Sequence, residues 1–347
     1  MLRTRRLVLD MDDERPIMAL PAGLEERLRA ALTFGWEVVR VRARSSGRGD
    51  GMLGASAEAV AAVRDAEIYL GFGAPEPVVR AGDCLRWIHS GTAGVSGVIT
   101  PALRESGAVF TNSAGIHAPA VAETALAMML FFARGLDVAV QAQAKGEWRP
   151  EPFERMPSVA RELAGATLGV VGYGGIGRET ARRARALGMR VVALRRRASR
   201  PTQEEDGVTV HAGRGGLQRV LADADYLLLT APETAETRRM IDGPALEQLR
   251  RGAVLINVSR GALVDEDALV RALSSGALRG AALDVFATEP LPPAHPLWRM
   301  PNVLITPHVS AFTERFWERE AELILDNLGR YMKGRPLRNV VDLAAGY

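Results

Sequence analysis

Three polar residues stand where chemistry could use them. Arg260 follows the apolar run "AVLINVS", Glu289 lies just beyond "AALDVF", and His308 follows "VLITP". An arginine so placed can hold a carboxylate and polarise a carbonyl. A histidine can donate or accept the proton that accompanies hydride transfer. A nearby glutamate would favour the imidazolium, raising the histidine's pKa and fixing its orientation. Each residue also has an ordinary reading. Arg260 could form a surface ion pair, Glu289 before Pro290 could shape a turn, and His308 after Pro307 could be satisfied by backbone.

A hydride needs a carrier, and "TLGVVGYGGIGRETARRARALG" offers a place for one. An apolar run leads into Gly172, Gly174, Gly175 and Gly177. Ile176, Thr180, Ala184 and Leu187 then recur on one helical face, and Gly188 is placed to close the helix. A second apolar run follows, completing a βαβ unit of the dinucleotide-binding kind. Gly172 permits the tight turn, Gly174 lets backbone approach a pyrophosphate, and Gly177 allows close helix–strand packing. The helix start offers free N–H groups and partial positive charge to phosphates. A glycine turn that merely joins strand to helix is the plainer alternative.

About 20 residues on, such units present a carboxylate to the adenosine ribose. This chain instead ends the run "VVAL" in Arg195, Arg196 and Arg197. A carboxylate repels a 2′-phosphate, whereas a guanidinium pairs with it through directed hydrogen bonds. NADP(H) is therefore favoured over NAD(H), with Arg195 and Arg196 as the candidates and Arg197 as a solvated neighbour. An arginine cluster in an arginine-rich protein is the alternative, since lysine occurs only at Lys145 and Lys333.

The elements that must position these groups alternate strand with helix. "RLVLDM", "WEVVRVR", "EIYLGFG", "LRWIHSG" and "AVFTNS" read as strands, with helical patterns over Leu24–Leu32 and Ser56–Asp65. A long helix is predicted from His117 to about Arg134. The segment "KGEWRPEPFERMP" suits neither helix nor strand and reads as an arm. A second series follows: "TLGVVG", "MRVVAL", "DYLLLT", "AVLINVS", "GAALDVF" and "NVLITP". "DEDALVRALSSG" and Glu314 to about Met332 read as helices.

A length of 347 residues favours two domains. A net charge of +3 does not argue for nucleic acid. The longest apolar stretch, from Ala118, is interrupted by Glu123 and is short for a bilayer span. The N-terminus lacks the apolar core of a secretory signal. The single cysteine, Cys84, allows no internal disulfide. A cytoplasmic protein without membrane or nucleic-acid partners is expected. No histidine, cysteine and carboxylate spacing suggests a metal.

"LAGATLGVVGYGGIGRE", "APETAETRRMI", "LINVSRGALVDEDAL", "AALDVFATEPLP" and "ITPHVSAFT" resemble the D-isomer-specific 2-hydroxyacid dehydrogenase family, in order and at similar spacing. "WIHSGTAGV" and "VFTNSAGIHAPAVAETALAMML" resemble it too, so the likeness runs from about residue 67 onward. The resemblance implies that Arg260, Glu289 and His308 are the catalytic set. It implies cofactor contacts from Gly172, Gly174, Gly175, Ile176, Gly177, Ala231, Val258 and Asp284, the last meeting the nicotinamide amide. Ala93, Gly94 and Val95 match the loop whose N–H groups bind the substrate carboxylate. Two positions depart from the family pattern: Arg195 replaces an acidic residue, and Ser96 stands where aspartate is common.

The implied architecture is α/β, with two Rossmann-like or flavodoxin-like domains and the cofactor domain inserted into the substrate domain. Residues 1–115 with 311–347 would form the substrate domain. Residues 116–310 would form the dinucleotide domain, with a crossing helix and a dimer arm near Trp148. The implied activity is transfer of a hydride between NADP(H) and a small 2-keto or 2-hydroxy acid of glyoxylate or hydroxypyruvate type, in a homodimer. Alternatives are a nucleotide-binding sensor or scaffold, and a phosphite dehydrogenase-like enzyme on the same fold.

Overall fold

Short apolar runs build two mainly parallel sheets in the computed structural model, which describes residues 4–43, 54–95, 97–196, 200–213 and 215–346. Ser96 and Arg197, singled out in the sequence, lie outside the described residues. Contacts divide the chain into two units, Met1–His117 with Phe312–Tyr347, and Ala118–Ala311.

The first unit opens with β1 (Arg5–Asp10), α1 (Leu24–Ala31), β2 (Trp36–Arg40), α2 (Ala57–Val63) and β3 (Ile68–Gly71). It continues with α3 (Glu76–Ala81), β4 (Trp87–Ser90), α4 (Pro101–Glu105) and β5 (Val109–Asn112). The strands pair in parallel in the order β2-β1-β3-β4-β5, the flavodoxin-like arrangement. Their two-residue period splits the core. Leu7, Leu9, Ile68, Leu70 and Trp87 pack on one face, and Val8, Tyr69, Ile88 and Phe110 on the other. Ser56 and Thr100 begin their helices by accepting the backbone N–H of Ala59 and Leu103.

The second unit starts with α5 (Ala118–Ala133), α6 (Leu136–Lys145) and α7 (Glu151–Glu154). Its sheet follows as β6 (Thr167–Val171), α8 (Gly175–Ala186), β7 (Arg190–Leu194), β8 (Thr202–Glu205), β9 (Val208–His211), α9 (Gly216–Asp223) and β10 (Tyr226–Leu229). Then come α10 (Gly243–Glu247), β11 (Ala253–Asn257), α11 (Glu266–Ser274), β12 (Leu278–Leu283) and β13 (Val303–Ile305). The chain returns to the first unit in α12 (Phe316–Met332). The strand order is β13-β12-β11-β10-β6-β7-β9-β8, and only the edge strand β8 runs antiparallel to its neighbour. Alternation again fills both faces: Leu227 and Leu229 enter one cluster, Tyr226 and Leu228 the other. Each fully buried leucine contributes about 1.5–3 kcal/mol.

Register aligns the strand ends. Val171 pairs with Leu194 and Leu229, Leu229 with Asn257, Asn257 with Leu283, and Leu283 with Ile305. Because these strands are parallel, the loops after all six emerge on one edge, where open α/β sheets bind ligands.

The strands β8 and β9 are not among the runs read as strands in the sequence, and two expectations are corrected. The proline-bearing segment contains α7, because Pro150 precedes that helix and Pro152 sits in its first turn, where no N–H is needed. Leu187 does not share the buried face of α8. The helix ends at Ala186, Leu187 is exposed, and Gly177, Thr180, Ala181 and Ala184 form the buried line. Among the described residues no single helix is long and apolar enough to cross a membrane.

Candidate active site

The glycine turn lies between β6 and α8, beside β10, at the point where the strand order reverses. Gly172 has a φ of +105°, and a Cβ there would overlap the Ala231 backbone. A Cβ at Gly177 would overlap the Gly172 carbonyl oxygen, so this glycine lets the helix start pack on the turn. Gly174 differs, because nothing lies within 4 Å of a Cβ built there. The backbone faces open space at that residue, directly before the first turn of α8, which fits a phosphate-bearing cofactor. Gly175 begins α8 and Ile176 packs half-buried behind it. Ala231 and Val258, after β10 and β11, are buried beside the same switch point.

Arg195 follows β7, and its N–H donates to the His211 carbonyl. Its guanidinium lies 3.1 Å from the Glu205 carboxylate and 5.7 Å from the centre of the Tyr173 ring. Arg178, in α8, pairs with the same carboxylate and sits 4.6 Å from that ring centre. Arg196 is exposed at the next position. The sequence reading missed Glu205. Its signal was "EEDGVT", a two-residue Asp-Gly hairpin turn between strand-like runs. Asp206 and Gly207 have φ of 51° and 69°, and Glu205 pairs with Val208, as such a turn requires.

Arg260, Glu289 and His308 stand after β11, β12 and β13. His308 Nδ1 lies 2.7 Å from Glu289 Oε2, and the Phe286 N–H donates to Glu289 Oε1 at 2.9 Å. The bond to Glu289 raises the His308 pKa; burial and the Arg260 charge act against this, and the Glu289 and Asp284 charges add to it. Burial pushes the Glu289 carboxyl up. The bonds from His308 and the Phe286 N–H, with the His308 and Arg260 charges, outweigh it and leave the carboxyl below its usual range. The three groups therefore act on one another. Gly261, which the sequence reading passed over, explains how Arg260 is carried there: a Cβ would overlap the Phe286 carbonyl, so only glycine lets this loop cross the β12 loop.

His308 itself has a φ of +55°, a conformation costly for a side-chain-bearing residue. Asp284 holds it there. Its carbonyl accepts the His308 N–H at 2.8 Å. Its fully buried carboxylate accepts the Thr306 hydroxyl at 2.6 Å and the N–H groups of Val309 and Ser310 at 2.9 and 3.0 Å.

In the first unit, Ala93, Gly94 and Val95 follow β4. The Ala93 carbonyl accepts from Asn112 Nδ2 at 2.8 Å, and the Gly94 carbonyl accepts the Thr92 hydroxyl at 3.0 Å. These bonds use carbonyls. Beneath the loop, His89 Nε2 meets Glu320 Oε1 at 2.9 Å, both fully buried, and Ser113 donates to Glu320 Oε2 at 2.7 Å. His89 is thus a satisfied core residue. Among the described residues no histidine, cysteine and carboxylate cluster suits a metal ion.

Known proteins resemble this chain in sequence and fold. The profile described as "D-isomer specific 2-hydroxyacid dehydrogenase, NAD binding domain" matches residues 126–310. A D-3-phosphoglycerate dehydrogenase of Archaeoglobus fulgidus is 34% identical over 266 residues, 77% of this chain and 49% of that protein, so the chain spans about half the length of that relative. A glyoxylate reductase of Korarchaeum cryptofilum is 32% identical over 265 residues, covering 76% of this chain and 78% of that protein. Among solved structures, an NADPH-dependent glyoxylate/hydroxypyruvate reductase of Sinorhizobium meliloti, in complex with NADP and sulfate, superposes with a TM-score of 0.77 at 26% identity. It covers 99% of this chain and 100% of that one.

Proposed function

The chain belongs to the D-isomer-specific 2-hydroxyacid dehydrogenase family, and from that membership we propose that it reduces a small 2-keto acid of glyoxylate or hydroxypyruvate type with NADP(H). The observation that carries this reading is the 2.7 Å His308–Glu289 pair, electrostatically coupled to Arg260 on the ligand edge of the sheet. The glycine turn from Gly172 to Gly177 would hold the pyrophosphate, with Ile176, Ala231 and Val258 lining the cofactor. Arg195 and Arg196 would receive the 2′-phosphate. Asp284, fully buried, would fix the His308 turn through its bonds from Thr306, Val309 and Ser310. When bound, the reduced cofactor supplies a hydride to the carbonyl carbon.

The protein's own residues do the rest. Arg260 would hold the carboxylate and polarise the carbonyl oxygen. Glu289 occupies Nδ1 of His308, which leaves Nε2 to give its proton to the carbonyl oxygen. The pair favours the imidazolium, raising the His308 pKa. The Sinorhizobium protein's described activity and cofactor support this choice over the longer phosphoglycerate dehydrogenases.

Recombinant protein assayed with NADPH and NADH against 2-keto acids, and with NADP+ against D-3-phosphoglycerate, tests it. Turnover of a small keto acid with NADPH is expected. Its absence across the panel counts against the reading.

We also propose a homodimer built on the arm. Leu136 and Val140 on α6, with Trp148 and Met156 beyond it, expose large apolar surface that a second copy would cover.

A further inference from the structure

The arginines at the adenosine end are already answered by a carboxylate of the protein's own. Arg178 and Arg195 both lie against the Tyr173 ring, 4.6 and 5.7 Å from its centre, and both pair with Glu205. Two guanidinium groups on one ring face a mutual repulsion that a carboxylate between them offsets. Glu205 is not there by chance of a loose surface chain. It ends β8, one residue before a two-residue turn whose register is set by Glu205 and Val208. Arg185 of α8 donates to the Asp206 carbonyl, and Arg178 reaches the Asp206 carboxylate at 3.9 Å. Helix α8 therefore fixes the hairpin tip, and the tip fixes Glu205 beside the glycine turn.

We propose that Glu205 is a specificity-determining residue: a built-in counter-ion to Arg178 and Arg195 that a 2′-phosphate must displace. This rests on the NADP(H) reading above and deepens it. The physical consequence follows from charge. A 2′-phosphate arriving at the arginines loses part of their attraction to Glu205 and meets repulsion from it. The 2′-hydroxyl of NAD(H) carries no charge, and a carboxylate can accept its hydrogen bond. Glu205 thus holds down discrimination against NAD(H), and Arg178 joins Arg195 as a second phosphate-binding cation.

Calorimetric titration of the full chain with NADPH, NADH, adenosine 2′,5′-bisphosphate and AMP reads this without turnover. Glu205→Gln keeps size and removes charge. It is expected to tighten NADPH and the bisphosphate by roughly tenfold, the scale of one charge-assisted hydrogen bond, leaving NADH and AMP within about twofold. Arg178→Gln is expected to loosen NADPH and the bisphosphate by a similar factor. An unchanged or lowered NADPH preference in Glu205→Gln, at wild-type melting temperature, overturns the proposal. Were that variant to fail to fold, an unchanged NADPH affinity in Arg178→Gln would overturn it instead. Arg195→Gln separates the layers. If it leaves NADPH affinity unchanged, the underlying reading fails. If it weakens NADPH while Glu205→Gln is neutral, only the present inference fails.

Discussion

At the scale of single residues, the proposed reaction rests on one contact, between His308 Nδ1 and Glu289 Oε2. The carboxylate holds the imidazolium, so His308 keeps its proton to higher pH than a free histidine. Reduction needs the protonated form, and its rate should fall as pH rises through that raised pKa. In Glu289→Gln the falling limb is expected to move to lower pH, with kcat/KM down by about 10²-fold. An unmoved kcat/KM profile, measured with the keto acid well below KM, would show that Glu289 does not act through His308. The placement of Arg260, Glu289 and His308 was legible in sequence, because each follows an apolar run that ends at the same edge of the sheet. Other features were not. The contact of Glu205 with Arg195 spans a hairpin, and the clamp of Asp284 on the His308 turn spans two strands. Spacing along a chain does not report such pairings.

Elements position these residues through backbone approach as much as through side chains. The loop after β11 passes so close to Phe286 that any Cβ at residue 261 meets immovable backbone. Gly261→Ala is expected to cost about 2–3 kcal/mol, a fall in melting temperature of roughly 5–10 °C for a unit of this size. Wild-type melting behaviour would contradict the crossing. The strands themselves were readable as continuous apolar runs, since parallel strands here are buried on both faces. The exception is instructive. Strand β8 is "TQEE", polar and at the sheet edge, and carries no apolar signal. Only the Asp-Gly turn after it announces the hairpin. Helix α7 escaped for a related reason, since proline at a helix start looks the same as proline that breaks one.

On the scale of the whole molecule, two units each carry their own sheet and core, and their strand orders are the flavodoxin-like and dinucleotide-binding ones. Composition and alternation made that class legible. They say little about self-association, which depends on exposed side chains. Trp148 and Met156 are 94% and 90% exposed in the single chain. Sedimentation equilibrium should return twice the 37.4 kDa chain mass, and Trp148→Ala combined with Val140→Glu should shift it toward monomer. A wild-type monomer at micromolar concentration would sink the dimer. The central claim is that His308 delivers the proton in an NADPH-dependent keto-acid reduction. Single-turnover oxidation of bound NADPH by glyoxylate or hydroxypyruvate tests it most directly, comparing wild type with His308→Asn. The account predicts rapid oxidation in the wild type. It predicts unchanged NADPH affinity in the variant, with a rate lower by about 10³-fold. No oxidation by any keto acid in the wild type, or a variant within a few-fold of it, would contradict the account.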